Sequence, residues 1–184
     1  MLIGVLFLAM IQSIYLVLIL EPYPYPFHLD LKNFLPPHTS IPILAIQTLL
    51  SLAIFNFLIG NCDTHGKNIS FLYPIQGKPR NRTATLAPLY DLVSTTVYED
   101  LSSKLSMKIG GEYRIDHIRR NHFILFGEEV HVGRPYMEKL LDSMSTAVSR
   151  ALERIALLSG ILMKEPLITT MKEQVEKRVR QIEV

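Results

Sequence analysis

One cysteine in 184 residues, Cys62, excludes an internal disulfide and a Cys-rich zinc site, and points to a reducing, cytoplasmic compartment. Charge of one sign is equally scarce. Nineteen basic against seventeen acidic side chains leave a formal net charge of +2, so no strong field demands nucleic acid or an acidic surface as a direct partner. Basic residues are missing from the start of the chain, where Lys32 is the first Lys or Arg; that removes the n-region of a signal peptide and any strong orientation signal for a membrane span. Glycine is as sparse there, with Gly4 standing alone before Gly60. No repeat or low-complexity tract occurs, and the length suits one domain rather than two full cores.

What is present falls into blocks. Residues 1–20, MLIGVLFLAMIQSIYLVLIL, are broken only by Gly4, Gln12 and Ser13, and a helix of that length spans about 30 Å, one bilayer core. Tyr23, Tyr25 and Phe27 then stand where an interfacial aromatic belt would, while Pro22, Pro24 and Pro26 stop any helix. Three readings stay open for this segment: a membrane anchor, a vestigial leader and a buried core helix. Residues 21–39 read as a Pro-rich linker. Ser40 can then cap a helix with Pro42 in its first turn, running through the apolar stretch Ile43 to Ile59 and ending at Gly60. Its polar members Gln47, Thr48 and Ser51 gather on one side, as in a helix covered by protein on most faces; a second membrane span is the competing reading, against which Asn56 argues.

Farther on, ISFLY and TLAPLYD flank the turn-rich loop Pro74 to Thr83 and predict a β-hairpin. KLSMKIGGEYR, from Lys104 to Arg114, predicts a strand pair or turn near the site. From Asp116 the pattern is helical. Leu140, Leu141, Met144, Ala147, Val148, Ala151, Leu152 and Ile155 keep i, i+3, i+4 spacing up to Gly160, and a last helix turns Ile168, Met171, Val175, Val179 and Ile182 inward. Glu173/Lys177 and Glu176/Arg180 are expected as ion pairs on its outer face. These helices are read as packing elements. The fold class is α+β and mostly helical.

Chemistry concentrates in GNCDTHGKN and LAPLYD. Asp63, His65 and Asn68 stand in the spacing D-x-H-x-x-N, and Asp91 follows Asp63 by 28 residues, across the hairpin. Two acids and an amide in that order suit phosphoryl transfer, in which a loop Asp accepts the proton of the attacking hydroxyl while an Asn five residues on and a later Asp hold magnesium against the phosphates. Taken alone, Asn61 to Asn68 also has the composition of a capped polar turn. Gly110-Gly111 lacks the strand–glycine–helix order of a phosphate cradle, Cys62 has no basic neighbours to activate it, and His117, His122 and His131 lack zinc spacing.

The phrases FNFLIGNCDTHGKNISFLY, LAPLYDLVSTT and KLSMKIGGEYR, in this order, resemble the C-terminal lobe of HipA-type serine/threonine kinases, the toxin components of HipBA toxin–antitoxin modules. The resemblance covers about residues 40–184 and implies a protein-kinase-like C-lobe. It implies Asp63 as catalytic base, Asn68 and Asp91 as magnesium ligands, and Lys67 as a phosphate contact or a solvated side chain, with His65 orienting the loop. Mg2+ and ATP are the implied cofactors. The implied partners are a HipB-like antitoxin, through which DNA is reached, and a protein substrate such as a translation component. Membrane association would come through residues 1–20. Nothing before Asp63 supplies a glycine loop with a strand Lys, so the N-lobe is expected to be missing and the chain inactive alone. The spacing D-x-H-x-x-N is also similar to that of phosphatidylinositol 3/4-kinases, which makes a lipid kinase the runner-up; a non-catalytic interaction remnant is the third reading.

Overall fold

Proline at the first helical position starts α1 (Pro42–Ile59), and no glycine or further proline interrupts it. The computed structural model describes residues 42–73, 84–158 and 166–183; the hydrophobic 1–20 segment, the 21–39 linker, Ser40, the loop 74–83 and Gly160 lie outside them. Ile46, Leu49, Leu50, Leu52, Ile54, Phe55, Phe57 and Leu58 are all buried, so α1 is covered nearly all round. Its cover comes from α2 (Arg120–Glu129), α3 (Arg134–Leu158) and α4 (Pro166–Glu183), which share its core. Phe57 meets Phe123 of α2 edge to face, with ring centroids 5.3 Å apart. The apolarity of α1 thus serves burial within protein. Among the described residues no helix is long and apolar enough to cross a membrane, which removes the second-span reading of α1.

The predicted inward stripes hold. Leu140, Leu141, Met144, Val148 and Ile155 of α3 are buried, as are Ile168, Met171, Val175, Val179 and Ile182 of α4. The ion pairs expected on α4 are replaced. Lys177 reaches Asp116 at 2.8 Å, and Glu176 pairs with Lys172 at 3.7 Å. For Lys177 the reason is proximity: Asp116 sits in the 3-10 turn Ile115–His117 beside α4, and an i, i+4 pair worth a few tenths of a kcal/mol is easily redirected by a tertiary neighbour; Glu176 exchanges one i, i+4 partner for another.

Two small antiparallel sheets lie against the helices. In the first, β1 (Phe71–Leu72) pairs with β2 (Thr85–Leu86), closing the predicted hairpin. In the second, β3 (Lys104–Ile109) pairs with β4 (Glu112–Arg114). Its two-residue turn is Gly110-Gly111 at φ +52° and +86°, as a primed turn requires. The glycines therefore close a hairpin.

α1 ends in a Schellman motif. Gly60 N–H donates to Phe57 O at 3.1 Å and Asn61 N–H to Asn56 O at 2.8 Å, with Gly60 at φ +75°. A Cβ on Gly60 would lie 2.1 Å from Thr96 Oγ1 and 2.7 Å from Arg178 Nη1. Gly60→Ala is therefore expected to cost at least about 2 kcal/mol, read as a lower urea midpoint at unchanged slope. Gly66→Ala, where a Cβ meets nothing within 4 Å, should stay within about 0.5 kcal/mol of the parent. Equal effects of the two would refute this account of the turn.

Candidate active site

The loop that leaves α1 is held before it reaches Asp63. Asn61 is 2% exposed, and its side chain makes three bonds. Its Nδ2 donates to Asn56 Oδ1 at 3.0 Å and to the backbone oxygen of Asp91 at 2.9 Å, and its Oδ1 accepts the N–H of Asp63 at 3.2 Å. One buried amide thereby ties together α1, the turn carrying Asp63 and the segment carrying Asp91. The next residue is fixed too. Cys62 N–H donates to Thr95 Oγ1 at 2.9 Å, and Cys62 O accepts from Ser106 N–H at 2.9 Å and from its hydroxyl at 3.0 Å. β3 is thus stapled to the loop. Burial pushes the Cys62 thiol above its ordinary pKa, outweighing the opposing pull of the Thr95 hydrogen bond and the Arg178 charge, so it stays a protonated, buried group.

Beyond Asp63 the chain turns through the 3-10 segment Gly66–Asn68, and Asn68 is buried at its end. Asn68 N–H donates to His65 O, while its Oδ1 accepts the His65 N–H, both at 2.9 Å. His65 therefore shapes the loop through its backbone. The Asn68 Nδ2 donates to Asp91 Oδ2 at 2.5 Å. Asp91 itself sits at φ +59°, a left-handed conformation uncommon for a residue with a Cβ, and Asn61 holds its carbonyl there. Tyr90 locks the other side: its hydroxyl donates to Lys67 O at 2.7 Å and lies 2.9 Å from Ser70 Oγ. Lys67 extends an exposed side chain.

Of the residues singled out from sequence, Asn68 and Asp91 touch directly. Asp63 joins them through Asn61 rather than by direct contact, and its exposed side chain is open to solvent. The oxygen types suit a hard cation: Asp91 keeps Oδ1 uncommitted, while the Asn68 amide turns its nitrogen to Asp91 and its oxygen, with one lone pair left, to the His65 N–H. His117 and His131 are exposed and His122 half-buried. Asn61, Tyr90 and Thr95 were not anticipated. The available signal was Asn56, an amide inside an apolar helix that needs a partner.

A family model described as the HipA-like C-terminal domain matches residues 31–152, which include every one of these loop residues. The chain belongs to that family. A putative kinase, Y4mE, from Sinorhizobium fredii is 42% identical over 116 residues, covering 61% of this chain and 26% of that protein. The serine/threonine-protein kinase toxin HipA of Shewanella oneidensis is 36% identical over 126 residues, covering 68% of this chain and 27% of the relative. A solved complex of HipA, HipB and its operator DNA from Shewanella oneidensis MR-1 superposes with a TM-score of 0.62 at 26% identity, over 94% of this chain and 35% of that one. The chain thus spans roughly a quarter to a third of the length of these relatives. The mostly helical HipA C-terminal fold expected from the sequence is the fold observed.

Replacing Asn61 tests the brace. Asn61→Leu leaves Asn56 Oδ1 buried without its donor and frees the Asp91 carbonyl, which should cost about 2–3 kcal/mol. Asn61→Asp sets acceptors against acceptors and should cost at least as much at pH 7. The introduced acid has its pKa raised in the folded state, so its deficit should shrink as pH falls toward 5 and a protonated carboxyl regains a donor. Urea midpoints at the two pH values decide the matter; a pH-independent deficit for Asn61→Asp counts against this geometry.

Proposed function

We propose that the chain carries the catalytic-loop part of a HipA-type serine/threonine kinase, acting on MgATP and a protein hydroxyl, and that residues 40–184 form its catalytic-loop domain. The observation that carries the reading is the direct contact of the Asn68 amide with the Asp91 carboxylate, two residues 23 apart in sequence, on segments that Asn61 ties to the turn carrying Asp63. In this reading Asp63 accepts the proton of the substrate hydroxyl as its oxygen bonds to the γ-phosphorus and the bond to the ADP oxygen breaks. Asn68 and Asp91 hold Mg2+, and the exposed Lys67 reaches a phosphate. The cation supplies charge neutralisation for the phosphates when bound. The kinase names of the relatives, one of them a serine/threonine kinase, favour a protein hydroxyl over a lipid.

The chain spans about a third or less of its relatives, so activity is proposed for it only together with the remaining kinase elements. A HipB-like antitoxin is the proposed partner, supported by the Shewanella complex, with DNA reached through it; the net charge of +2 fits indirect contact. A cytoplasmic location is proposed on the same grounds.

Mn2+ titration followed by EPR separates the roles. Asp91→Asn and Asn68→Ala should each weaken Mn2+ binding about tenfold or more, whereas Asp63→Asn should leave it nearly unchanged. Labelling by radioactive ATP, with the remaining kinase elements supplied, should fall at least about a hundredfold in Asp63→Asn. Mn2+ affinity indifferent to Asp91 would remove the metal role. A wild-type chain that binds no Mn2+ would favour the non-catalytic interaction reading.

A further inference from the structure

Arg178 of α4 is 5% exposed and is the one charged residue among the buried described residues. Among those residues no carboxylate lies within ion-pairing distance of it. Its partners are neutral. Nη2 donates to Thr96 Oγ1 at 2.6 Å and to Gln174 Oε1 at 3.1 Å. Thr96 Oγ1 in turn donates to Gln174 Oε1 at 2.5 Å, and Gln174 Nε2 donates to Thr96 O at 2.9 Å, closing a three-residue network. Nη1 is buried against Gly60 with no hydrogen-bond partner.

Thr96 is the other half of the junction. The N–H groups of Thr95 and Thr96 both donate to Gly60 O, at 3.0 and 3.1 Å. Gly60 opens the segment bearing Asp63 and Asn68, and Thr96 ends the segment bearing Asp91, so Arg178 sits where the two segments join. A methionine or leucine would pack α4 at lower cost, because a buried guanidinium hydrogen-bonded to neutral partners loses hydration with its nearest countercharge, Asp116, beyond ion-pairing distance. Packing alone therefore does not explain an arginine here. The family model ends at residue 152, before α4 begins.

We propose that Arg178, with Gln174, is a positioning residue of the site, clamping Thr96 onto Gly60 so that the Asp63 and Asp91 segments keep their mutual placement. The clamp rests on the phosphotransfer reading only for what it positions. Four variants of the full chain test it: Arg178→Met, Arg178→Lys, Thr96→Val and Thr96→Ser. Amide hydrogen exchange at Thr95 and Thr96 should speed up about tenfold or more in Arg178→Met and Thr96→Val, while amides of Ile54 to Leu58 in α1 keep their protection. Mn2+ affinity by EPR should fall about fivefold in the same two variants and return in Thr96→Ser, which keeps the hydroxyl, with Arg178→Lys intermediate. If Arg178→Met does not fold, Thr96→Val carries the test. Unchanged exchange at Thr95 and Thr96, or an equal loss of protection throughout α1, would overturn the clamp. Failure of the wild-type chain to bind Mn2+ would sink the metal site instead, and the exchange pattern would still decide the clamp.

Discussion

Backbone polar groups at a helix end buried on all sides have to find partners in protein, and the C-terminus of α1 imposes that requirement on everything near it. Gly60 and Asn61 return their N–H groups to Phe57 and Asn56, and Gly60 O takes the N–H groups of Thr95 and Thr96 together with the Thr95 hydroxyl. Water cannot substitute readily at such a place, because α1 is covered by its neighbours. The segment from Asp91 to Thr96 is therefore tied to the turn from Gly60 to Asp63 by the same bonds that terminate the helix. Placement of Asp63 and Asp91 follows from helix capping.

Burial divides the labour. Asn56, Asn61 and Asn68 lie inside and hold the loops, whereas the carboxylates of Asp63 and Asp91 face outward. Carboxylates in contact with solvent need no protein partner, while the buried amides take theirs from within the fold, Asn56 through its oxygen alone. Asp91 also shows where strain is stored. Its positive φ costs on the order of 1 kcal/mol or more, and the bond from Asn61 Nδ2 to its carbonyl offsets a comparable amount. The strain turns the Asp91 side chain toward Asn68, and loss of the brace would release it.

Much of this was legible in the sequence, for identifiable reasons. Apolar periodicity placed α3 and α4 and their inward residues, Gly60 marked the end of α1, and Gly110-Gly111 marked the turn of the second hairpin, because each is a local constraint. The spacing of Asp63, Asn68 and Asp91 pointed to one site, and the structure joins the last two directly. Asn61 was hidden because a buried amide and a solvated turn amide look alike in sequence. Arg178 was hidden more thoroughly: it stands among the charged and apolar residues of α4, and nothing in their spacing marks one cation as buried. The ion pairs of α4 were misassigned for a related reason. Local spacing offered Glu173 to Lys177, whereas the fold brought Asp116 nearer. Where a partner lies across the fold, spacing along the chain cannot supply it.

The extent of the folding unit follows from the same core. Met171, Val175, Val179 and Ile182 of α4 belong to the cluster that contains α1, although the family match stops at residue 152. Burying an aliphatic side chain contributes about 1.5–3 kcal/mol, so four such residues contribute about 6–12 kcal/mol before entropy is counted. A domain's whole net stability is about 5–15 kcal/mol. Without α4 the chain would lose a sum of that order and expose a face of α1, the helix whose end positions the site. α4 therefore belongs to the same cooperative unit as the loop bearing Asp63, and Arg178 reaches Gly60 because the helix that carries it is already required for the core. A residue beyond the matched region can then act on the site without any element being added for the purpose.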